Sequence, residues 1–426
     1  MATRFLHAAD IHLGNKQYHS PERYNDFARA FERLVDDALA RRVDFLLLAG
    51  DLFHERSIEP RTLLQAVACL QRLQEGGVRA IAVEGNHERP YYTDQFSWLD
   101  YLAETGLLVL LNVGYQGGKL SLSAWNGTQG AYIDLPCGAR VIGAKYFGGS
   151  TGRVIEDLTE ALPQLQETRP AYTVLMLHAG IQGILDNYSA TLSRSQLDPL
   201  RPYADYLALG HIHKPYDQDN WIYNPGSLET NSVAEVEWDN RGYFLVEVET
   251  GSRPAHRVTP VRSVRRAFER LDFEVDAYET PAALYEALDA YLKARVTAEK
   301  VAQEPVVELQ LRGRLAFDPL AYDLAHIEGL IRGAFHPLLC LVKNQTSSNQ
   351  GDITPPPGTR QELEIYVLRE LLERDPVYRA QSDLWARRVL HLKELALKGD
   401  SPEEIIAELR TYDAPGDTVM GMAEGV

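Results

Sequence analysis

Five short polar motifs, each set directly against an apolar run, constrain this chain more than any other feature. Asp10-Ile11-His12 comes after Phe5 to Ala8, Gly50-Asp51 after Phe45 to Leu48, and Gly85-Asn86-His87-Glu88 after Ala80 to Val83. His178 follows Val174 to Leu177, and Gly210-His211-Ile212-His213 follows Tyr206 to Leu209. Short apolar runs of this kind predict buried strands, and segments of helical period lie between them. Ser20-Pro21 opens the first helix, where Tyr24, Phe27, Phe31, Leu34 and Ala38 recur at helical spacing and predict one buried face. Alternating strands and helices over the first 250 or so residues predict a layered α/β domain. Strand ends meet along one edge of an α/β sheet, so motifs distant in sequence are expected to share one crevice.

The side chains of these motifs are imidazoles, carboxylates and an amide. That mixed nitrogen and oxygen set suits divalent Mn, Fe or Zn better than Ca, and two ions better than one. A carboxylate can bridge two ions where a neutral imidazole does not, and Asp51 is the natural bridge, with the ions about 3.5 to 4 Å apart. One ion would take Asp10, His12, Asp51 and His213; the other would take Asp51, Asn86, His178 and His211. A single Asp-x-His or Gly-Asp would carry little weight. It is the agreement of five motifs in order, residue type and strand-end position that argues for a site. His7, His19, His256, His326, His336 and His391 are read as structural or surface residues.

After about residue 260 the pattern changes to a smaller mixed unit. It predicts a helix near Pro281 to Ala294, a strand over Val307 to Leu311, a helix near Leu320 to Ile331 and a strand over Leu338 to Val342. The segment 346–359 contains Ser347-Ser348-Asn349, Gly351-Asp352 and Pro355-Pro356-Pro357, a composition expected of a linker. Beyond it, Arg360 to Glu373 and Gln381 to Lys398 read as helices, and Ser401-Pro402-Glu403-Glu404 as a capping box. The expected division is 1–260, 261–345, the linker 346–359 and a helical segment 360–415.

Composition excludes some roles. The net charge of −17 argues against a protein that coats nucleic acid through its overall field, so any DNA contact must rest on local charge. Cys69, Cys137 and Cys340 lie far apart, without disulfide-framework or zinc-type spacing, which favours a reducing compartment. A strand begins within a few residues of Met1, and no apolar stretch reaches membrane-spanning length. The expectation is a cytoplasmic, nucleoid-associated protein without a membrane anchor.

The motif order resembles that of the calcineurin-like metallophosphoesterases, over roughly residues 1 to 250. The runs His12-Leu13-Gly14-Asn15-Lys16-Gln17-Tyr18, Gly50-Asp51-Leu52-Phe53-His54, Gly85-Asn86-His87-Glu88 and Leu209-Gly210-His211-Ile212-His213-Lys214-Pro215 are similar to the SbcD branch, the meiotic-recombination-eleven nuclease family. Glu88 departs from the Asp expected in most members and is given no ligand role. The fold this resemblance implies is α/β in four layers: a two-sheet β-sandwich flanked by helices, then a smaller α/β capping domain and a C-terminal helical arm.

The implied activity is a metal-dependent exonuclease and endonuclease acting in double-strand-break repair. Its cofactors would be two divalent ions, Mn2+ first, with Mg2+, Fe2+ or Zn2+ as alternatives. Hydroxide held between the ions would attack the phosphodiester in line, without a covalent enzyme intermediate. His87 would protonate the leaving oxygen or stabilise the transition state, and His54 would orient DNA for exonucleolytic cutting. Lys16, Arg89, Lys145, Arg153 and Lys214 are the local positive charges that could hold a DNA backbone. Residues 261–345 resemble the family's DNA-capping domain, and the helices after the linker resemble the arm that binds an SbcC-type, SMC-like coiled-coil ATPase; the family also implies a homodimer. On the arm, Leu363, Tyr366, Val367 and Leu371 would form one apolar face. Two competing readings keep part of this picture: a two-metal phosphodiesterase for a small phosphoester or cyclic nucleotide, and a DNA-tethering scaffold with little turnover.

Overall fold

The structure, a computed structural model, describes residues 3–91, 96–168, 170–185, 190–249, 255–348, 358–374, 377–399 and 401–412. In chain order, β1 (Thr3–Ala8), α1 (Pro21–Arg41), β2 (Phe45–Leu48), α2 (Pro60–Glu75), β3 (Arg79–Ala82), α3 (Trp98–Glu104) and β4 (Val109–Leu110) come first. A small hairpin, β5 (Gly114–Gln116) and β6 (Lys119–Ser121), precedes β7 (Tyr132–Asp134), β8 (Ala139–Ala144), α4 (Thr151–Ala161) and β9 (Tyr172–His178). Then follow β10 (Gly180–Ile181), β11 (Thr191–Leu192), α5 (Arg194–Leu197), β12 (Tyr206–Gly210), β13 (Tyr216–Gln218), β14 (Ile222–Asn224), β15 (Gly242–Val248) and β16 (His256–Arg262).

These strands make two six-stranded sheets, ordered β16-β15-β1-β2-β3-β4 and β13-β14-β12-β9-β8-β7. Within the first, β1 to β4 run parallel; within the second, β8, β9, β12 and β14 do. The sheets pack face to face over one apolar layer that includes Phe5, Phe45, Leu47, Ile81 and Val83 from one and Val141, Val174, Met176, Tyr206 and Ala208 from the other. The other face of the first sheet, with Leu6, Leu46, Leu48 and Ala80, packs on α1, α2 and α3. The outer face of the second, with Ile142, Leu175, Leu177 and Leu207, packs on α4 and α5. The result is the expected four-layer sandwich. Strands buried on both faces have no polar side to show, which is why Phe45-Leu46-Leu47-Leu48 reads as an unbroken apolar run. Each such Leu or Phe stabilises the fold by about 1.5–3 kcal/mol relative to exposure.

Helix α1 starts where its sequence directs. The Ser20 hydroxyl accepts the Arg23 N–H at 3.3 Å, Pro21 occupies the first turn, and Arg42 closes the helix in a left-handed conformation. Tyr24, Phe27, Phe31, Leu34 and Ala38 are all buried.

The remaining elements are β17 (Phe268–Glu274), α6 (Pro281–Lys293), α7 (Ala298–Ala302), β18 (Val306–Leu315), α8 (Leu324–Phe335), β19 (Leu339–Ser348), α9 (Arg360–Arg374), α10 (Ser382–Lys398) and α11 (Pro402–Leu409). Strands β17, β18 and β19 form a three-stranded sheet in that order. Two expectations shift here. Helix α8 begins at Leu324, after a separate short turn at Pro319–Ala321, not near Leu320. Strand β19 continues through residues 346–348, so β-structure extends into the segment expected as linker; 349–357 lie outside the described residues, as do 413–415 at the end of the expected arm.

Two compact units are distinguished: Met1–Phe273, Glu286–Leu311 and Leu324–Asn344 in one, and Glu274–Tyr285, Arg312–Asp323 and Gln345–Val426 in the other. In the second unit α9 and α10 are tied by Lys393 to Glu364 at 2.8 Å and Gln361 to Glu394 at 3.2 Å. The expected capping box of α11 is present, with Ser401 and Glu404 bonded reciprocally. Among the described residues no helix is long and apolar enough to cross a membrane.

Candidate metal centre

All five motifs reach the same edge of the sandwich, at the carboxyl ends of β1, β2, β3, β9 and β12. The turns that deliver them are unusual: Asp10, His12, Asp51 and His211 have φ of 52°, 54°, 53° and 88°, left-handed values that non-glycine residues rarely adopt. Each costs on the order of 1–3 kcal/mol and persists only where surrounding contacts enforce it. Glycine is required beside them. A Cβ on Gly85 would lie 2.0 Å from Asp51 Oδ1, and one on Gly50, at φ +91°, 2.1 Å from His178 Nδ1.

The donor atoms gather in two neighbouring groups. In one, His12 Nε2 faces His213 Nε2 at 3.1 Å, with Asp10 beside them. In the other, His178 Nε2 and His211 Nδ1 converge on Asn86 Oδ1 at 3.1 and 2.9 Å. Asp51 stands between: its Oδ2 is 3.3 Å from His178 Nε2 and 4.0 Å from His12 Nε2. Asp10 is also within reach of both sides, grouping with His12 and His213 and again with Asp51 and His178. Both its oxygens lie 3.1 Å from the His211 backbone N–H.

Several imidazoles are aimed by a fixed partner at the remote nitrogen. A carbonyl or carboxylate can only accept, so each ring must present Nδ1–H to it and is left with Nε2 free to face the centre. His178 donates to the Ala49 carbonyl at 2.7 Å, His213 to Glu235 at 2.7 Å, and His87 to the His54 carbonyl at 2.6 Å. Glu235 is held in turn by the buried guanidinium of Arg241. Sequence reasoning missed Glu235, since nothing in the stretch Ser232 to Glu237 marks it. It also understated Glu88. That side chain is buried and binds no donor of the centre directly, but it accepts backbone N–H groups from Asp51, Phe53 and Gly85.

Burial dominates the electrostatics. It raises the Asp10 carboxyl to about 6, reinforced by Asp51 and opposed by His213 and His178. Asp51 is pushed up by burial too, but His178, His12 and His87 outweigh that and hold it well below the usual carboxylate range. Burial alone would lower His178; the charge and hydrogen bond of Asp51, with Asp10, raise it to about 9. His12 is taken well below its ordinary value by burial, and His54 is lowered to about 4 by burial and His87. Glu88 rises to about 8 through burial and the charge of Asp51. The centre thus packs two buried carboxylates, four imidazoles and an amide oxygen around one locus, with no lysine or arginine among the donors. Divalent cations of the Mn, Fe or Zn type fit that donor set.

His54 and His87 lie on the His12 side. His54 Nδ1 is 3.4 Å from His12 Nδ1, and the His54 and His87 rings stack at 5.2 Å. The cationic candidates are more dispersed. Lys16 is paired with Glu59, Lys145 with Glu84 at 3.3 Å, and Arg153 with Asp157 at 3.1 Å along α4. Arg89 is exposed, and Lys214 is half-buried with its carbonyl accepting from Asn224.

A family model described as calcineurin-like phosphoesterase matches residues 3–215, half of the chain, and the chain belongs to that family. Among curated proteins, it is 48% identical over 255 residues to the DNA double-strand break repair protein Mre11 of Haloferax volcanii, covering 58% of this chain and 49% of that protein. It is 32% identical over 242 residues to the protein of the same name from Archaeoglobus fulgidus, covering 55% and 52%. The likeness to the Halobacterium salinarum Mre11 is lower, 28%, but extends over 372 residues, 83% of this chain and 80% of that one. The chain spans about half the length of the first two relatives.

Proposed function

We propose that this protein is a two-metal phosphodiesterase that cuts DNA, the nuclease subunit of a double-strand-break repair complex. The observation that carries the reading is the pair of donor groups on either side of the buried Asp51, with His87 alongside. Asp10, His12, Asp51 and His213 would hold one ion, and Asp51, Asn86, His178 and His211 the other. Two divalent ions, Mn2+ in the first instance, would supply charge neutralisation at the phosphate and a nucleophile drawn from water at neutral pH. The chain's own contribution is positioning. His87, its Nδ1–H committed to the His54 carbonyl at 2.6 Å, presents Nε2 as the atom that carries a proton to the leaving oxygen. His54 lies against both His12 and His87, which suits a role in seating the phosphate for exonucleolytic cutting.

The relatives' printed name, DNA double-strand break repair protein, supports DNA as the substrate. Lys16, Arg89, Lys145, Arg153 and Lys214 are proposed as backbone contacts; for Lys16, Lys145 and Arg153 a phosphate must compete with an existing carboxylate partner. Residues 261–345 are assigned to DNA capping and 360–415 to an arm for an SbcC-type ATPase, with homodimerisation of the nuclease and action at the nucleoid. In support of the arm, Leu371, Leu384, Leu397 and Ile406 are exposed apolar side chains. The carboxylate partners and the net charge of −17 favour, as a second reading, a small phosphoester substrate at the same centre.

Cleavage of linear duplex and single-stranded DNA with Mn2+, Mg2+ or chelator, beside bis-p-nitrophenyl phosphate and a cyclic nucleotide, separates these readings. Metal-dependent DNA degradation that is lost in His87→Ala is the expected result, with a fall of about 100-fold or more. Turnover of the small esters with DNA left intact would overturn the nuclease assignment. A His87→Ala protein as active as wild type would remove His87 from the chemistry.

A further inference from the structure

We infer that Glu88 is a positioning residue of the metal centre: its carboxylate sets the backbone that presents Asp51, and through it the affinity for divalent cations. The inference rests on the two-metal reading above.

The β2–β3 ladder ends at Leu48 and Ala82, so the loops beyond it must find other acceptors for their N–H groups. Glu88 supplies them. Its Oε2 accepts from Asp51 N–H at 3.1 Å and Gly85 N–H at 2.9 Å, and its Oε1 accepts from Phe53 N–H at 2.9 Å. Asp51 returns the contact, its Oδ1 accepting the His87 N–H at 3.0 Å. Two acidic side chains therefore clasp each other's loops: Glu88 holds the segment that carries Asp51, and Asp51 holds the segment that carries Asn86, His87 and Glu88. Asp51 sits at φ 53°, a strained conformation that such contacts must maintain.

A carboxylate is the side chain this role demands. Three N–H donors converge on it, and only an acceptor at both oxygens satisfies all of them; a glutamine amide would turn an NH2 group toward one. At 4% exposure, Glu88 cannot exchange these partners for water. An aspartate could keep both acceptor oxygens but would stand one methylene short of the three donors.

The test is calorimetric titration of Mn2+ into metal-free, full-length wild type, Glu88→Gln and Glu88→Asp, with thermal melts of each protein and the Mn2+ dependence of bis-p-nitrophenyl phosphate hydrolysis. Expected are a 10–100-fold weaker Mn2+ Kd for the Gln variant, a several-fold weaker one for the Asp variant, and matching rightward shifts in Mn2+ activation. A purely structural Glu88 would lower the metal-free Tm yet leave the Kd of the folded variants at the wild-type value, and that outcome overturns the inference. Should Glu88→Gln not fold, Glu88→Asp decides: wild-type affinity there sinks the idea. Wild type that binds no Mn2+ would instead remove the metal-centre reading, and this inference with it.

Discussion

His213 Nδ1 lies 2.7 Å from Glu235 Oε1, and the other oxygen of that carboxylate receives the guanidinium of Arg241. Arg241 is 1% exposed and bonds also to Ser227 at 3.0 Å and Thr230 at 2.9 Å, so Glu235 is at once the orienter of a candidate ligand and the counter-charge of a buried cation. The two partners answer in opposite directions: burial is the largest influence on each, but the pairing raises His213 and lowers Glu235.

Truncating Glu235 should therefore do two separable things. Glu235→Ala takes from the buried Arg241 its direct carboxylate partner, leaving it Ser227, Thr230 and the more remote charge of Glu229, and should destabilise the protein by up to about 3–5 kcal/mol in denaturant unfolding. Glu235→Gln retains an acceptor for His213, so its loss should be smaller, with Mn2+ affinity the more affected quantity. Equal stability of all three proteins would show that the charge of Glu235 contributes nothing to the fold.

Gly85→Ala probes how closely the two loops must approach. The added Cβ would meet Asp51 Oδ1 at 2.0 Å and Asp51 N at 2.5 Å, far inside van der Waals contact, so Asp51 or the 85–88 turn must move. A displacement on the order of 1 Å at a catalytic constellation costs about 100-fold in rate, and phosphodiester hydrolysis should fall by at least that much while the circular dichroism spectrum stays native. Gly329→Ala, on α8 with nothing within 4 Å of the added carbon, is the control expected to behave as wild type. Full activity in Gly85→Ala would show that the centre tolerates a looser Asp51.

How far the sequence foretold this arrangement depended on which physical constraint each residue answers to. The strand β2 was legible because both its faces are buried, and α1 because one face is buried and its Ser-Pro start is a strong local signal. Asp10, His12, Asp51, Asn86, His178, His211 and His213 were legible as a group because each lies at a strand end with neighbours of fixed type. The left-handed backbone at Asp10, His12, Asp51 and His211 left no trace, since the side chains there are chosen for their donor atoms and not for backbone preference. Glu235 and the Ala49 carbonyl were invisible for a related reason: an orienting acceptor can come from any segment that folds nearby, and a backbone oxygen has no sequence signature at all. The start of α8 was misplaced because Leu320, Ala321 and Tyr322 continue the apolar pattern past a turn that the pattern does not encode.

His7 offers a pH test away from the donor residues. Its ring is 0% exposed and bonds to the Leu209 carbonyl at 3.1 Å and the Tyr206 hydroxyl at 2.9 Å. The carbonyl only accepts, so Nε2 holds the proton and Nδ1 accepts from Tyr206, a neutral ring with no room for a second proton. Burial pulls its pKa down to about 3, partly offset by the Leu209 bond. The unfolded chain, with His7 near 6.5, binds a proton that the folded chain refuses between about pH 6.5 and 3. Stability contributed by neutral His7 is thus complete above pH 6.5 and declines on acidification by up to about 1.4 kcal/mol per pH unit. In His7→Gln the slope of unfolding free energy against pH should be shallower over that window. An unchanged slope would mean that other groups control acid denaturation.

Metal removal should be felt in stability as well as in catalysis. Asp10 and Asp51 are both buried, and the Asp10 carboxyl is raised chiefly by burial, with repulsion from the nearby Asp51 charge adding to it. Cations bound to the folded chain alone relieve that repulsion and add stability by mass action, about 2.7 kcal/mol for one site at a hundred times its Kd. Melting in excess Mn2+ should therefore lie several degrees above melting in chelator, and the gap should grow with Mn2+ concentration. Asp51→Asn weakens both donor groups at once and should close most of that gap, while its metal-free melt should fall below that of wild type, because the imidazoles that hold the Asp51 carboxyl well below the usual carboxylate range lose the charge they pair with. If Mn2+ and chelator give the same wild-type Tm, the convergence of donors on Asp51 is a hydrogen-bonded cluster and not a cation site.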